Sequence, residues 1–236
     1  MNKRNLTILC FAFCMSVVSV HAQTDVKPVQ TSLTEDQKAK SDAEQDKKAA
    51  EWVTSLNLND AAKEAKVKAA IHAHLKAVRD WHNEHPFTTV PAGINPATGN
   101  KLSELDRQVI ANSAIPKTVH ENLMTVLKTE LSPEQVEAVL DKYTIGKVAF
   151  TFQGYKAIVP DLTPEEETKI VGFLKQAREQ AIDYKNMNQI SAIFEIYKTK
   201  CEQYLNSNGR SWRELFKAYT DKRKKEKEAE KEKAKQ

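Results

Sequence analysis

Apolar residues in this chain return at three- and four-residue steps and almost never alternate, a pattern that predicts helices throughout. The clearest run is Ala61 to Glu84, where Val67, Ile71, Leu75, Val78 and Trp81 share one face until Pro86 follows the pre-proline residue His85. Val119, Leu123, Val126 and Leu127 line a second helix. Ile170, Phe173, Leu174, Ala177, Ala181 and Ile182 line a third, over Pro164 to Tyr184. Ile190, Ile193, Phe194, Tyr197, Cys201, Tyr204 and Leu205 form one stripe of a fourth, which Asn208-Gly209 ends in the left-handed manner of a helix C-terminus. A last helix docks through Trp212, Leu215, Phe216 and Tyr219. The first helix is weak by the same reading, because Lys38 to Lys48 offers little but Ala to bury before Trp52, Val53 and Leu56.

The polar positions supply the punctuation. Ser132-Pro133 with Gln135 and Thr163-Pro164 with Glu166 are capping boxes with proline where a missing N–H costs nothing, and Thr34 with Gln37 is a looser version. Ser103 with Asp106 and Ser211 with Glu214 read the same way, Asp60 caps the long helix, and Asn57 to Asp60 breaks the one before it. Between Ser132 and Thr163 the regular pattern fails. Thr144 to Tyr155 carries Gly146, Gly154, Phe150, Phe152 and Tyr155 without a clear period, and is expected to be an irregular connector. The fold class that follows is all-α: a single-domain multi-helix bundle over residues 34–220 with an irregular Gly/aromatic connector.

Composition changes this picture at the two ends. Asn2-Lys3-Arg4, the apolar run Leu6 to Val20 and the small residues around Ala22 read as a secretory signal peptide over 1–22, so the mature chain is expected to be periplasmic or secreted. The run is shorter than the roughly 20 apolar residues of a span, and Cys10 and Cys14 lack the small preceding residue of a lipoprotein signal, so no membrane anchor is expected. Residues 23–33 read as a polar linker. The formal charge of +4 rests on Lys3 and Arg4 and on the tail 221–236, which holds eight Lys or Arg against five Asp or Glu. A charge confined to leader and tail leaves the body no basic face for nucleic acid. The mature chain keeps Cys201 alone, inside an apolar stripe, which suits a buried inert thiol better than a nucleophile.

Candidate chemistry is sparse. His82 and His85 lie one turn apart with Asp80 and Glu84 near them, spacing a divalent ion could use, but fixed zinc-type spacing is missing and no metal site is assigned. Phe87 to Lys101 is the longest loop of the body. Nothing resembles a nucleophile elbow or a phosphate loop, so no catalytic residue and no cofactor are assigned. The candidate ligand-binding residues are Tyr143 and Tyr155 of the connector, with Arg178, Glu179 and Asp183 of the following helix. Glu179 and Asp183, four apart, share a helix face.

From Asp141 to about Leu205 the chain resembles the secreted bacterial domain-of-unknown-function family DUF3826 of Bacteroidetes. The matching residues are Asp141, Thr144, Gly146, Thr151, Tyr155, Pro160-Asp161-Leu162-Thr163, Ala177-Arg178-Glu179, Ala181, Asp183, Phe194, Tyr197-Lys198 and Tyr204-Leu205. The chain departs from the family pattern at Thr199 to Gln203 and at Gly209-Arg210-Ser211-Trp212. The resemblance implies an accessory protein of polysaccharide utilisation. Three functions follow in order: a non-catalytic protein binding a glycan or an envelope protein through exposed aromatics; a carbohydrate-active enzyme using Glu179 and Asp183; and a periplasmic chaperone-like stress protein. The last rests on the capped repeats, which are similar to the Leu-Thr-x-x-Gln repeats of small stress chaperones.

Overall fold

A computed structural model of the chain describes residues 34–96 and 98–233; the expected signal peptide and linker lie outside the described residues. In order, the helices are α1 (Glu35–Thr54), α2 (Ala61–Glu84), a 3-10 turn (Phe87–Thr89), α3 (Glu104–Ser113), α4 (Lys117–Glu130), α5 (Pro133–Thr144), α6 (Lys147–Ile158), α7 (Pro164–Ala181), α8 (Met187–Ser207) and α9 (Trp212–Lys233). No strand occurs among the described residues beyond an isolated bridge between Ile94 and Lys101, so the protein is all-α.

The helix starts follow the capping chemistry. Thr34, Ser103, Ser132 and Thr163 each accept the backbone N–H three residues on, and Gln37, Asp106, Gln135 and Glu166 reach back to the cap. Asp60 accepts from the N–H groups of Ala62 and Lys63. Gly209, at φ +84°, lets the N–H of Arg210 return to the Leu205 carbonyl at the end of α8.

Two apolar cores organise the helices. The first gathers Ala49 and Val53 of α1, Val67 and Ile71 of α2, Leu123 and Leu127 of α4, and Val139 and Leu140 of α5. The second gathers Val148 and Tyr155 of α6, Ile170 and Leu174 of α7, and Ile193, Phe194, Cys201 and Leu205 of α8, with Trp212 and Leu215 of α9 against it. Cys201 is buried, and that burial pushes its thiol up to about 11. The polar first half of α1 is held by charge instead of burial. Asp42 pairs with Lys76 and Arg79, and Asp46 with Lys68, so α1 lies along α2 through a ladder of ion pairs. The α9 helix continues unbroken through the charged segment to Lys233.

The expected irregular connector is corrected. Only Ile145 and Gly146 leave the helical conformation, both in the left-handed region at φ 53° and 65°, and Lys147–Ile158 is a regular α-helix. Val148, Tyr155 and Val159 are buried and Phe152 half-buried, a three- and four-residue period that tertiary burial enforces. Phe150, 79% exposed, stands off that stripe and obscures it in the sequence.

Candidate functional site

The end of α7 meets α2 and α4 through one carboxylate. Asp183, two residues past the last residue of α7, receives His74 Nε2 of α2 at 3.0 Å on Oδ1 and His120 Nδ1 of α4 at 3.0 Å on Oδ2. Burial works against ionisation of Asp183, but the bonds from His120 and His74 outweigh it and hold the carboxyl below its ordinary range. Both imidazoles therefore donate to a carboxylate. His74, 2% exposed, presents Nε2–H to Asp183, and its buried Nδ1 has no partner. His120 donates from Nδ1 and turns Nε2 outward, 3.7 Å from Glu179 Oε1. The Asp183 bond, opposed by burial and helped by the Asp183 and Glu179 charges, raises the His120 pKa above its ordinary value.

His120, Glu179 and Asp183 line a cleft of about 440 Å³ between α4, α7 and α8. Gln176, Gln180, Glu121 and Lys117 add polar groups to it, and Tyr197 of α8 an aromatic one. An imidazole oriented by a buried carboxylate, beside a second carboxylate, can hold or pass a proton and can hydrogen-bond a hydroxyl from either side.

The structure thus brings Glu179 and Asp183 together and separates them from the other candidates. Tyr143 is buried, edge-on to Trp52 and to His74, with its hydroxyl unpartnered. Tyr155 is 2% exposed, donates to the Lys198 carbonyl and packs on Trp212, so it is a core residue and not part of a ligand surface. Phe150 is the exposed aromatic of that helix. Arg178, although next to Glu179, points the other way and clasps Glu137 and Asp141 of α5 at 2.6 Å each, tying the second core to the first. His82 and His85 do not converge. His82 Nδ1 faces Asn112 Oδ1, His85 Nδ1 faces the Trp81 carbonyl while its ring stacks on Trp81, and no metal-competent cluster occurs among the described residues.

His120 is the site residue that sequence reasoning missed. It falls on the buried stripe of α4 with Leu123 and Leu127, as His74 falls on that of α2 with Ile71 and Val78, and an ionisable group on an apolar stripe is the signal that could have found it. The departure at Gly209 to Trp212 lies elsewhere: Arg210 binds the buried carboxylate of Glu166 and also Asp161.

Comparison with known families places this geometry in context. The model for a protein of unknown function (DUF3826) matches residues 42–225, well beyond the segment from Asp141 to Leu205. No curated protein matches the chain. No helix among the described residues is long and apolar enough to cross a membrane.

Proposed function

From the premise that this chain belongs to the DUF3826 family, we propose that it is an exported, non-catalytic accessory protein of polysaccharide utilisation that binds a hydroxyl-rich glycan segment in the His120 cleft. The observation that carries the reading is the outward Nε2 of His120 beside Glu179, held in place by Asp183 and His74. Sugars are gripped by carboxylates, amides and imidazoles that bond adjacent hydroxyls and by aromatic faces, and Glu179, Gln176, Gln180 and Tyr197 supply those groups. Export rests on the basic start and apolar run of residues 1–22.

The alternative of glycoside hydrolysis by Glu179 and Asp183 is weaker. That chemistry needs a carboxyl kept protonated to donate to the leaving oxygen. Asp183 is committed to two histidines and held ionised. If the cleft does chemistry, His120 is the group placed to move the proton.

Isothermal titration of the purified chain against neutral oligosaccharides, with His120→Gln, Glu179→Gln and Tyr197→Ala, tests the proposal. Binding weakened at least about tenfold in each variant, with no release of reducing ends, is the expected result. Release of reducing ends abolished in His120→Gln would replace the binding role by catalysis. Wild-type affinity in all three variants would move the site elsewhere.

A further inference from the structure

The His120 cleft does not end at its own walls. Gln176 of α7 borders it and also borders a second depression, of about 650 Å³, that continues along α7 toward its N-terminus. Glu165, Lys169, Gly172, Gln176 and Glu179 recur at three- and four-residue steps, so they form one stripe of α7, roughly 21 Å long at the helical rise per residue. From the neighbouring helix α8, Tyr197 enters the cleft and Tyr204 the depression, two turns apart on one face.

The depression carries the same kinds of group as the cleft. Phe173 meets Tyr204 edge to face with ring centroids 6.4 Å apart, and both rings are half-buried. Glu165 and Gln176 add a carboxylate and an amide. Lys169 lies over the Phe173 ring at 5.2 Å, as Lys200 lies over the Tyr197 ring at 4.0 Å. Both lysines are exposed, and a cation over a ring at an exposed site is held weakly. An ammonium so placed gives way to another occupant of the ring face while remaining a hydrogen-bond donor beside it.

A glycine marks the same place. Gly172 lies in the middle of α7, where glycine is a poor helix former, and nothing in the protein comes within 4 Å of the position a Cβ would take there. No close packing within the chain calls for glycine at this position. Gly172 instead lines the depression, where a side chain would fill the space over the stripe.

On the glycan reading of the cleft, and resting on it, we propose that the α7–α8 stripe is an extended subsite for an uncharged, unbranched polysaccharide chain. The chain leaves the His120 cleft, crosses Gln176 and lays a sugar face against Phe173 and Tyr204. The stripe is several times the width of one sugar ring, so it recognises a polymer and not a monosaccharide. Glu165 and Lys169 place opposite charges one turn apart, which suits a neutral chain.

The test is isothermal titration of the purified chain with the disaccharides and hexasaccharides of xylan and of mannan. One hexasaccharide is expected to bind at least about thirtyfold more tightly than its disaccharide. Gly172→Leu fills the depression and Tyr204→Ala removes its ring; each is expected to weaken that hexasaccharide at least about tenfold and to leave the disaccharide unchanged. Leucine at 172 meets no neighbour and replaces a poor helix former, so the unfolding midpoint is expected to be no lower than wild type, which separates a blocked groove from a damaged fold. His120→Gln is expected to weaken both lengths. Equal affinity for the two lengths, or wild-type hexasaccharide affinity in either groove variant, would overturn the extension and leave the cleft reading standing. Disaccharide affinity unchanged in His120→Gln, or no binding of any of the four sugars, would overturn both.

Discussion

Replacing Arg178 with methionine tests whether the two cores are held together by charge or by packing alone. The guanidinium is 2% exposed and makes contacts of 2.6 Å to Glu137 Oε2 and to Asp141 Oδ1. Bonds of this charged kind contribute roughly 1.5–3 kcal/mol each. Three features reduce the net loss. The carboxylates are 38% and 42% exposed and rehydrate once the cation is gone, their exposure already screens the pair, and methionine keeps the stem packed without the cost of desolvating a charge. The expected destabilisation is therefore about 2 kcal/mol, less than the roughly 3–5 kcal/mol seen when the abandoned partner is itself buried. For a domain of this size that lowers Tm by about 4–8 °C. Differential scanning calorimetry of wild type, Arg178→Met and Arg178→Lys, completed by a double-mutant cycle with Asp141→Asn, measures it. A methionine variant as stable as wild type, or more so, would refute the reasoning by showing that desolvation of Arg178 outweighs its two ion pairs.

Other perturbations follow from the same geometry. His120 has a folded pKa above its ordinary 6.5, so its contribution is complete below that value and is lost as pH rises through the folded pKa. Asp183, held below 3.8, contributes above 3.8 and loses its effect as pH falls through its depressed pKa. The stability gap between wild type and Asp183→Asn, followed by urea denaturation, is accordingly largest between pH 3.8 and 6.5; a gap independent of pH would sink the assignment. Ile145→Gly is expected to stabilise the chain by about 0.5–1 kcal/mol, because a β-branched residue at φ 53° is strained and its side chain is 74% exposed; loss of stability would show that the corner depends on isoleucine. Tyr155→Ala should cost about 3–5 kcal/mol as a cavity in the second core, whereas a change near zero would return Tyr155 to the surface.

Local physics was legible in the sequence and long-range pairing was not. The bounds of α2, the boxes at Ser132 and Thr163 and the stop at Gly209 depend on residues a few positions apart, so pattern alone locates them. The α6 helix was misread because Phe150 and Gly154 break the apparent period, while the burial that makes it helical comes from α7 and α8. Glu179 and Asp183 were recognisable as sharing a face. That Arg178 would turn to α5, and that His120 would meet Asp183 across 63 residues of sequence, are properties of packed helices which no window of the sequence contains.

The burial of Cys201 also makes the molecule its own stopwatch. Among the described residues Cys201 is the one thiol, and it sits at 0% exposure in the second core, its reactivity suppressed by a pKa of about 11. An alkylating reagent can reach it only when α8 parts from its neighbours, so the labelling rate counts those openings one molecule at a time. A ligand that binds the His120 cleft, whose wall includes Tyr197 of α8, would slow the count, and His120→Gln would remove that slowing.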